Sequence, residues 1–206
     1  MSHVMRIRLV IGACALAAAT AGRGGTAGVA STSANSKLSS ASASPASCAN
    51  PQLSSSTSPV TQIAMTVNDL PPGGPSLEQI SDGEMNSTAN TDQRGFSNVG
   101  NTYRIEDDVV LDTSALTAAA DYPQLRDAAK TQFTTITTTS SPATLGCQAD
   151  EFVGKTATGY SQVGVAFQDG DVIAVVLVVN SAAPVDPAFA EAVARVQDQK
   201  IVAAAA

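Results

Sequence analysis

The side chains that could do chemistry in this 206-residue chain are almost all carboxylates. Glu106-Asp107-Asp108 with Asp112 forms one group, and Asp169 and Asp171 flank Gly170. Gathered carboxylate oxygens suit a hard cation such as calcium, and a spaced pair can act as the acid and base of a glycosidase. No stretch reads Asp-x-Asp-x-Asp-Gly, and Asp169 and Asp171 are explained by the turn their glycine implies. We read these acids as solvated, and assign no metal, cofactor or catalytic residue from them.

The only histidine is His3, and there is no tryptophan. A domain without imidazole lacks the commonest general base and the commonest metal ligand, which removes Ser-His-Asp, Cys-His and most zinc chemistries. Lys130 and Lys155 are the candidate lysine bases, and neither has a serine three residues before it. No glycine-rich phosphate loop is present. Asn86-Ser87-Thr88 matches a glycosylation sequon, a three-residue pattern that arises readily by chance.

All 18 acids but only seven of the 11 basic residues lie after Pro59, an excess of eleven negative charges. Such a surface repels phosphate backbones and anionic lipids, so no nucleic-acid partner is expected. The basic residues at the other end have a different use. Arg6 and Arg8 precede the apolar run Leu9–Ala19, and Ala19-Thr20-Ala21 offers a small-residue cleavage site after Ala21. This is the layout of an export signal, too short for a comfortable bilayer span. Residues 1–22 are thus read as a signal peptide, leaving no transmembrane span in the mature chain and a secreted or outer-surface location.

Residues 23–58 are dominated by serine, threonine and alanine. Ordering them would cost backbone entropy with little burial in return, so they read as a disordered linker with a reach of about 30 Å. Cys14 falls in the signal, which leaves Cys48 and Cys147. Two cysteines in an exported chain are expected to form one disulfide, and no Cys-x-x-Cys spacing suggests redox or metal work.

The elements that must position any site lie in residues 59–206, the size of one domain. Tyr160–Phe167 alternates, Asp169-Gly170 supplies a tight-turn dipeptide, and Val172–Val179 is uniformly apolar. That is a hairpin whose second strand is buried on both faces at the centre of an antiparallel sheet. Asp186-Pro187 opens a helix with an apolar stripe of Phe189, Val193 and Val196. A second helix is expected from Tyr122-Pro123 to about Phe133. Val60–Val67 and Tyr103–Leu111 read as further strands, Asp69–Pro75 as a loop, and 81–101 as a long polar connection. The fold class is α+β, an antiparallel sheet flanked by about two helices.

If helices cover one face of the sheet, the other face of Ile173, Val175, Leu177 and Val179, or of the alternate set, must also meet something apolar. That face is a candidate surface for a hydrophobic or wall-derived ligand, or for an envelope protein; a covering loop or helix is the plainer reading.

Ala19–Gly25 is similar to the lipobox of actinobacterial lipoproteins, with Arg23 at the position of the lipidated cysteine. Val67-Asn68-Asp69-Leu70-Pro71-Pro72-Gly73-Gly74-Pro75, Gly95-Phe96, Tyr103, Asp121-Tyr122-Pro123, Leu145-Gly146 and Gly170 to Lys200 continue the likeness. The chain resembles uncharacterised secreted proteins and lipoproteins of that group and, more distantly, the extracellular sensor domains of bacterial serine/threonine kinases. The resemblance implies a non-enzymatic binding or sensor-like domain. A carboxylate-using wall hydrolase and a structural secreted module are the alternatives.

Overall fold

The computed structural model describes Cys48 and residues 52–53, 60–72, 74, 77–81 and 90–205. The signal segment with Ala21, and most of the stretch read as a linker, lie outside the described residues. Seven strands form one antiparallel sheet: β1 (Glu78–Ser81), β2 (Thr91–Ser97), β3 (Tyr103–Leu111), β4 (Thr135–Ser140), β5 (Gln148–Lys155), β6 (Ser161–Asp169) and β7 (Val172–Asn180). Their order is β1-β2-β3-β7-β6-β5-β4, so two meanders meet where β3 pairs with β7. Helix α1 (Ala115–Lys130) carries the chain from β3 to the far edge, and α2 (Pro187–Ala204) follows β7. The expected α+β class holds, and Val172–Val179 occupies the middle of the sheet.

The alternation of β7 decides how the layers stack. Even-numbered Val172, Ala174, Val176 and Val178 share a core with Ala190, Val193, Ala194 and Ile201 of α2. Odd-numbered Ile173, Val175 and Leu177 pack with Ala118, Tyr122 and Ala129 of α1, joined by Phe133 and Phe152. The helices therefore cover opposite faces. Full burial of an aromatic or branched side chain contributes roughly 1.5–3 kcal/mol, and Phe96, Phe152, Phe167 and Ile173 are all among the most buried.

Both helices begin where a side chain satisfies their free N–H groups. Ser114 Oγ accepts from Thr117 N, and Asp186 Oδ1 accepts from Ala188 N, with Pro187 at the first position. Helix α1 starts seven residues before the expected Tyr122 and encloses Pro123. Its buried face is built largely of alanine, which lets it lie close to the sheet but gives a weak sequence signal. The buried stripe of α2 is Ala190, Val193, Ala194, Gln197 and Ile201, with Phe189 and Val196 at its margin.

The turn between β6 and β7 is displaced by one residue from expectation. Asp169 still pairs with Val172, so Gly170-Asp171 makes the two-residue loop. Gly170 has φ 58° and Asp171 is not in the left-handed region, which fits a turn needing glycine at its first position. Asp171 is consequently buried, and its carboxylate accepts from Leu53 N at 2.8 Å.

Val60–Val67 is not a strand. It forms 3-10 turns at Val60–Gln62 and Val67–Asp69 within a strap that lies on the α2 face. Side chains, instead of a neighbouring strand, satisfy its backbone. Arg94 Nη1 donates to Met65 O and Nη2 to Thr61 O, Gln197 Nε2 donates to Ile63 O, and Met65 N donates to Asp107. Two residues assigned to the linker, Cys48 and Leu53, are core residues 3% and 1% exposed, so the ordered domain begins before residue 59. Isolated apolar residues in a Ser/Ala background concealed this.

Gly154 on β5 permits the close approach of β4. A Cβ there would sit 2.0 Å from Thr135 O and 3.0 Å from the Phe133 ring. Gly154→Ala is expected to displace the edge strand and cost about 2–3 kcal/mol. The urea midpoint at constant m-value measures it, and an unchanged midpoint would contradict this packing.

Candidate functional site

Alternation along β3 breaks up the acid run. Glu106 and Asp108 face the α1 side, while Asp107 faces the α2 side beneath the strap. Asp107 is fully buried. One oxygen accepts from Met65 N at 3.3 Å and the other has no partner. Burial, with the nearby Asp92 charge, pushes its pKa up to about 7 against the opposing effects of the Met65 N–H, Arg94 and Lys200. Asp92 itself is bound by Arg94 at 3.1 Å. Asp108 lies beside Gln93, and burial raises it well above the usual carboxylate range, with the Glu106 and Asp107 charges adding to the effect. Glu106 is raised by burial although Arg104 sits 2.8 Å away.

Asp112 is pushed up to about 6 by partial burial and by the charges of Asp121 and Asp171. Asp169 and Asp171 do not act together, since Asp171 turns to Leu53 N while Asp169 meets Asp198 of α2. Burial and then the Asp198 charge push Asp169 to about 7. Asp198 also lies near Gly146 N–H and is itself raised by burial. Among the described residues, no three His, Cys, Asp or Glu side chains converge as metal ligands. The acids thus serve as separate braces: Asp107 for the strap, Asp169 and Asp198 for the join of α2 to the β6–β7 hairpin.

Cys48 and Cys147 are bonded, with Cα atoms 5.2 Å apart at a sequence separation of 99. The bond attaches Cys48 to the loop at Gly146, whose φ of +54° and close approach to Gln168 O leave no room for a side chain.

The face of Ile173, Val175 and Leu177 is covered by α1 and is at most 5% exposed, and Val179 is half-buried at its end. The structure places these four residues in one row, with the first three under a helix. The plainer reading applies to that row.

An accessible hollow lies elsewhere, on the α2 side, bordered by apolar side chains but with much backbone polar surface exposed. Val67, Leu70, Pro71, Gly74, Leu77 and Phe189 line a half-open cleft of about 160 Å³. A cavity of that order holds a ring the size of benzene. Asp69 lies next to the lining residue Leu70 and ties this segment to α2. It accepts from Thr66 N and Thr66 Oγ1 at 2.7 Å each, and from Lys200 Nζ of α2 at 2.7 Å. Partial burial acts to raise the Asp69 carboxyl, but the Lys200 and Thr66 bonds hold it below its ordinary value. Phe189 forms one wall. Its ring stands edge-on to Tyr103 with centroids 6.0 Å apart, and Gly74 lies so close that a Cβ there would come within 2.6 Å of it. Burial, and then the Asp186 charge, raise the Tyr103 hydroxyl to about 12.

The cleft was not visible as a site in the sequence. Leu70, Pro71 and Gly74 come from the Asp69–Pro75 loop, Val67 and Leu77 flank it, and Phe189 was read as packing. The one available signal was the density of proline, glycine and leucine in that loop.

No family model matches the chain, and no curated protein is similar to it by sequence. No helix among the described residues is long and apolar enough to cross a membrane.

Proposed function

We propose that the chain is an exported, non-enzymatic binding domain that takes a small apolar group into the cleft beside Phe189. That group would be a short acyl segment or ring carried by a membrane- or wall-derived ligand. The observation that carries this reading is the half-open hollow walled by Val67, Leu70, Pro71, Leu77 and Phe189. Ligand sites are typically concave, with apolar side chains and a few polar groups that fix orientation; here the cleft exposes polar as well as apolar surface, and the nearby Asp69–Lys200 pair would meet a polar head. Export is supported by the charged and apolar leader and by a disulfide, a bond that persists in oxidising compartments.

The carboxylate-hydrolase alternative has less support. Asp169 and Asp198 are in direct contact, closer than the roughly 5–10 Å separation used by glycosidases.

A neutral fluorescent probe, N-phenyl-1-naphthylamine, tests the proposal. We expect saturable binding to the intact domain. Leu70→Asp, which places a charge in the half-buried wall, should weaken it at least about tenfold while the domain still unfolds cooperatively above the assay temperature. Absence of saturable binding, or equal binding by Leu70→Asp, would sink the reading.

A further inference from the structure

Strand β4 ends the sheet, and all six of its residues are exposed. Its sequence, Thr-Ile-Thr-Thr-Thr-Ser, contains neither a charge nor a proline. These are two of the devices by which sheets discourage pairing at an edge. The opposite edge is shorter and its sequence carries a charge: β1 has four residues and starts with Glu78, and, like β4, it contains a register shift. In β4 the register shift falls between Ile136 and Thr138, where Thr137 Oγ1 donates to Val153 O. Thr138, Thr139 and Ser140 then pair regularly with Val153, Phe152 and Glu151.

Charge selects the partner. From Thr131 through Ala149 the chain has no acidic, basic or tyrosine side chain, within a domain carrying an excess of eleven acids. Within β4 itself a charged peptide would find no opposite charge; the nearest charges belong to β5, with exposed Lys155 across from Thr135 and buried Glu151 across from Ser140. A neutral, β-branched strand suits it, and the chain itself supplies one. Two copies would repel each other across their acidic surfaces, but at this edge they meet without opposed like charges. Antiparallel pairing sets threonine rows against threonine rows, a favourable cross-strand combination.

We propose that β4 is a self-pairing edge, through which two copies of the chain join β4 to β4 antiparallel and make their sheets continuous. Pairing of six residues buries less than a standard interface, so the dimer is weak and concentration-dependent. This proposal is independent of the cleft.

Analytical ultracentrifugation of the oxidised protein from about 10 µM to 1 mM tests it. The average mass should climb toward that of a dimer. Thr137→Lys with Thr139→Lys should leave the chain monomeric throughout, a loss of at least tenfold in association, with an unchanged melting temperature. Amide exchange on the unaltered protein gives a readout that does not depend on the variant's folding: β4 amides should slow as concentration rises, while those of exposed Val99 and Leu116 should not. A single monomer mass at every concentration, or a dimer indifferent to both lysines, would overturn the proposal. So would a dimer whose β4 amides exchange as in the monomer.

Discussion

Acidifying the protein from pH 8 to pH 5 is expected to stabilise it, raising the melting temperature by about 10 °C. Asp107, Asp112 and Asp169 have folded-state values of about 7, 6 and 7 against an ordinary 3.8, and Glu106, Asp108 and Asp198 are raised too. A raised carboxyl means the folded chain holds a proton that the unfolded chain releases. Stability is then fully present below about pH 4 and declines as pH climbs toward 7. For fully buried Asp107 a change from 3.8 to about 7 corresponds to about 4 kcal/mol. The charged groups around it are Asp92 and Arg94 of β2 and Lys200 of α2, and the strap contributes the Met65 N–H.

Asp69 and Asp127 act in the opposite sense. Both are lowered, so their contribution is present above the ordinary carboxylate range and fades in stronger acid. Asp127 is mostly exposed, and its pair with Arg126 counts for little in water. Maximum stability should therefore fall near pH 4–5. Asp107→Asn keeps an acceptor for Met65 N and cannot ionise. It should remove much of the slope, gaining stability at pH 8 while staying close to the parent at pH 5. Calorimetric scans at several pH values decide this. A melting temperature that is flat or rises from pH 5 to 8 would mean these carboxyls are not held neutral.

Removing the disulfide is the second large effect. Cys48→Ala with Cys147→Ala opens a loop with a sequence separation of 99 residues, and the chain-entropy model sets the loss at about 3–5 kcal/mol. The location of that loss is also specific. Leu53 and the strap should loosen first, because besides the bond at Cys48 only a few side chains hold them: Asp171 at Leu53, Arg94 at Thr61 and Met65, Asp107 at Met65, Gln197 at Ile63. Amide exchange at Leu53 and Ile63–Met65 should therefore accelerate more than exchange in β7. Denaturant unfolding gives the total. A loss below about 1 kcal/mol, or equal acceleration in strap and β7, would contradict this role.

The parts of the fold legible in the sequence are those in which one local pattern dominates. Apolar β7, the alternation of β6 and the Asp186-Pro187 helix start declare themselves without tertiary help. Strand β2 does not, because its inward positions include Asp92 and Arg94, whose partners lie on the strap and on each other. Strand β5 conceals itself similarly, with Glu151 buried and hydrogen-bonded by Ser140. The strap reads as a strand because its apolar residues are real core residues, yet its hydrogen bonds go to side chains distant in sequence. The cysteine pair was accessible by counting. The cleft was not, since nothing local connects Leu70 and Pro71 with Phe189.

Recognition by apolar contact can be observed at the cleft itself. Methyl-labelled protein titrated with N-phenyl-1-naphthylamine should show saturable shifts at Val67, Leu70 and Leu77, with Ile173, Val175 and Leu177 under α1 unmoved. Methyls around Phe189 that stay still while the probe saturates, or shifts confined to the α1 side, would place recognition elsewhere and contradict the account.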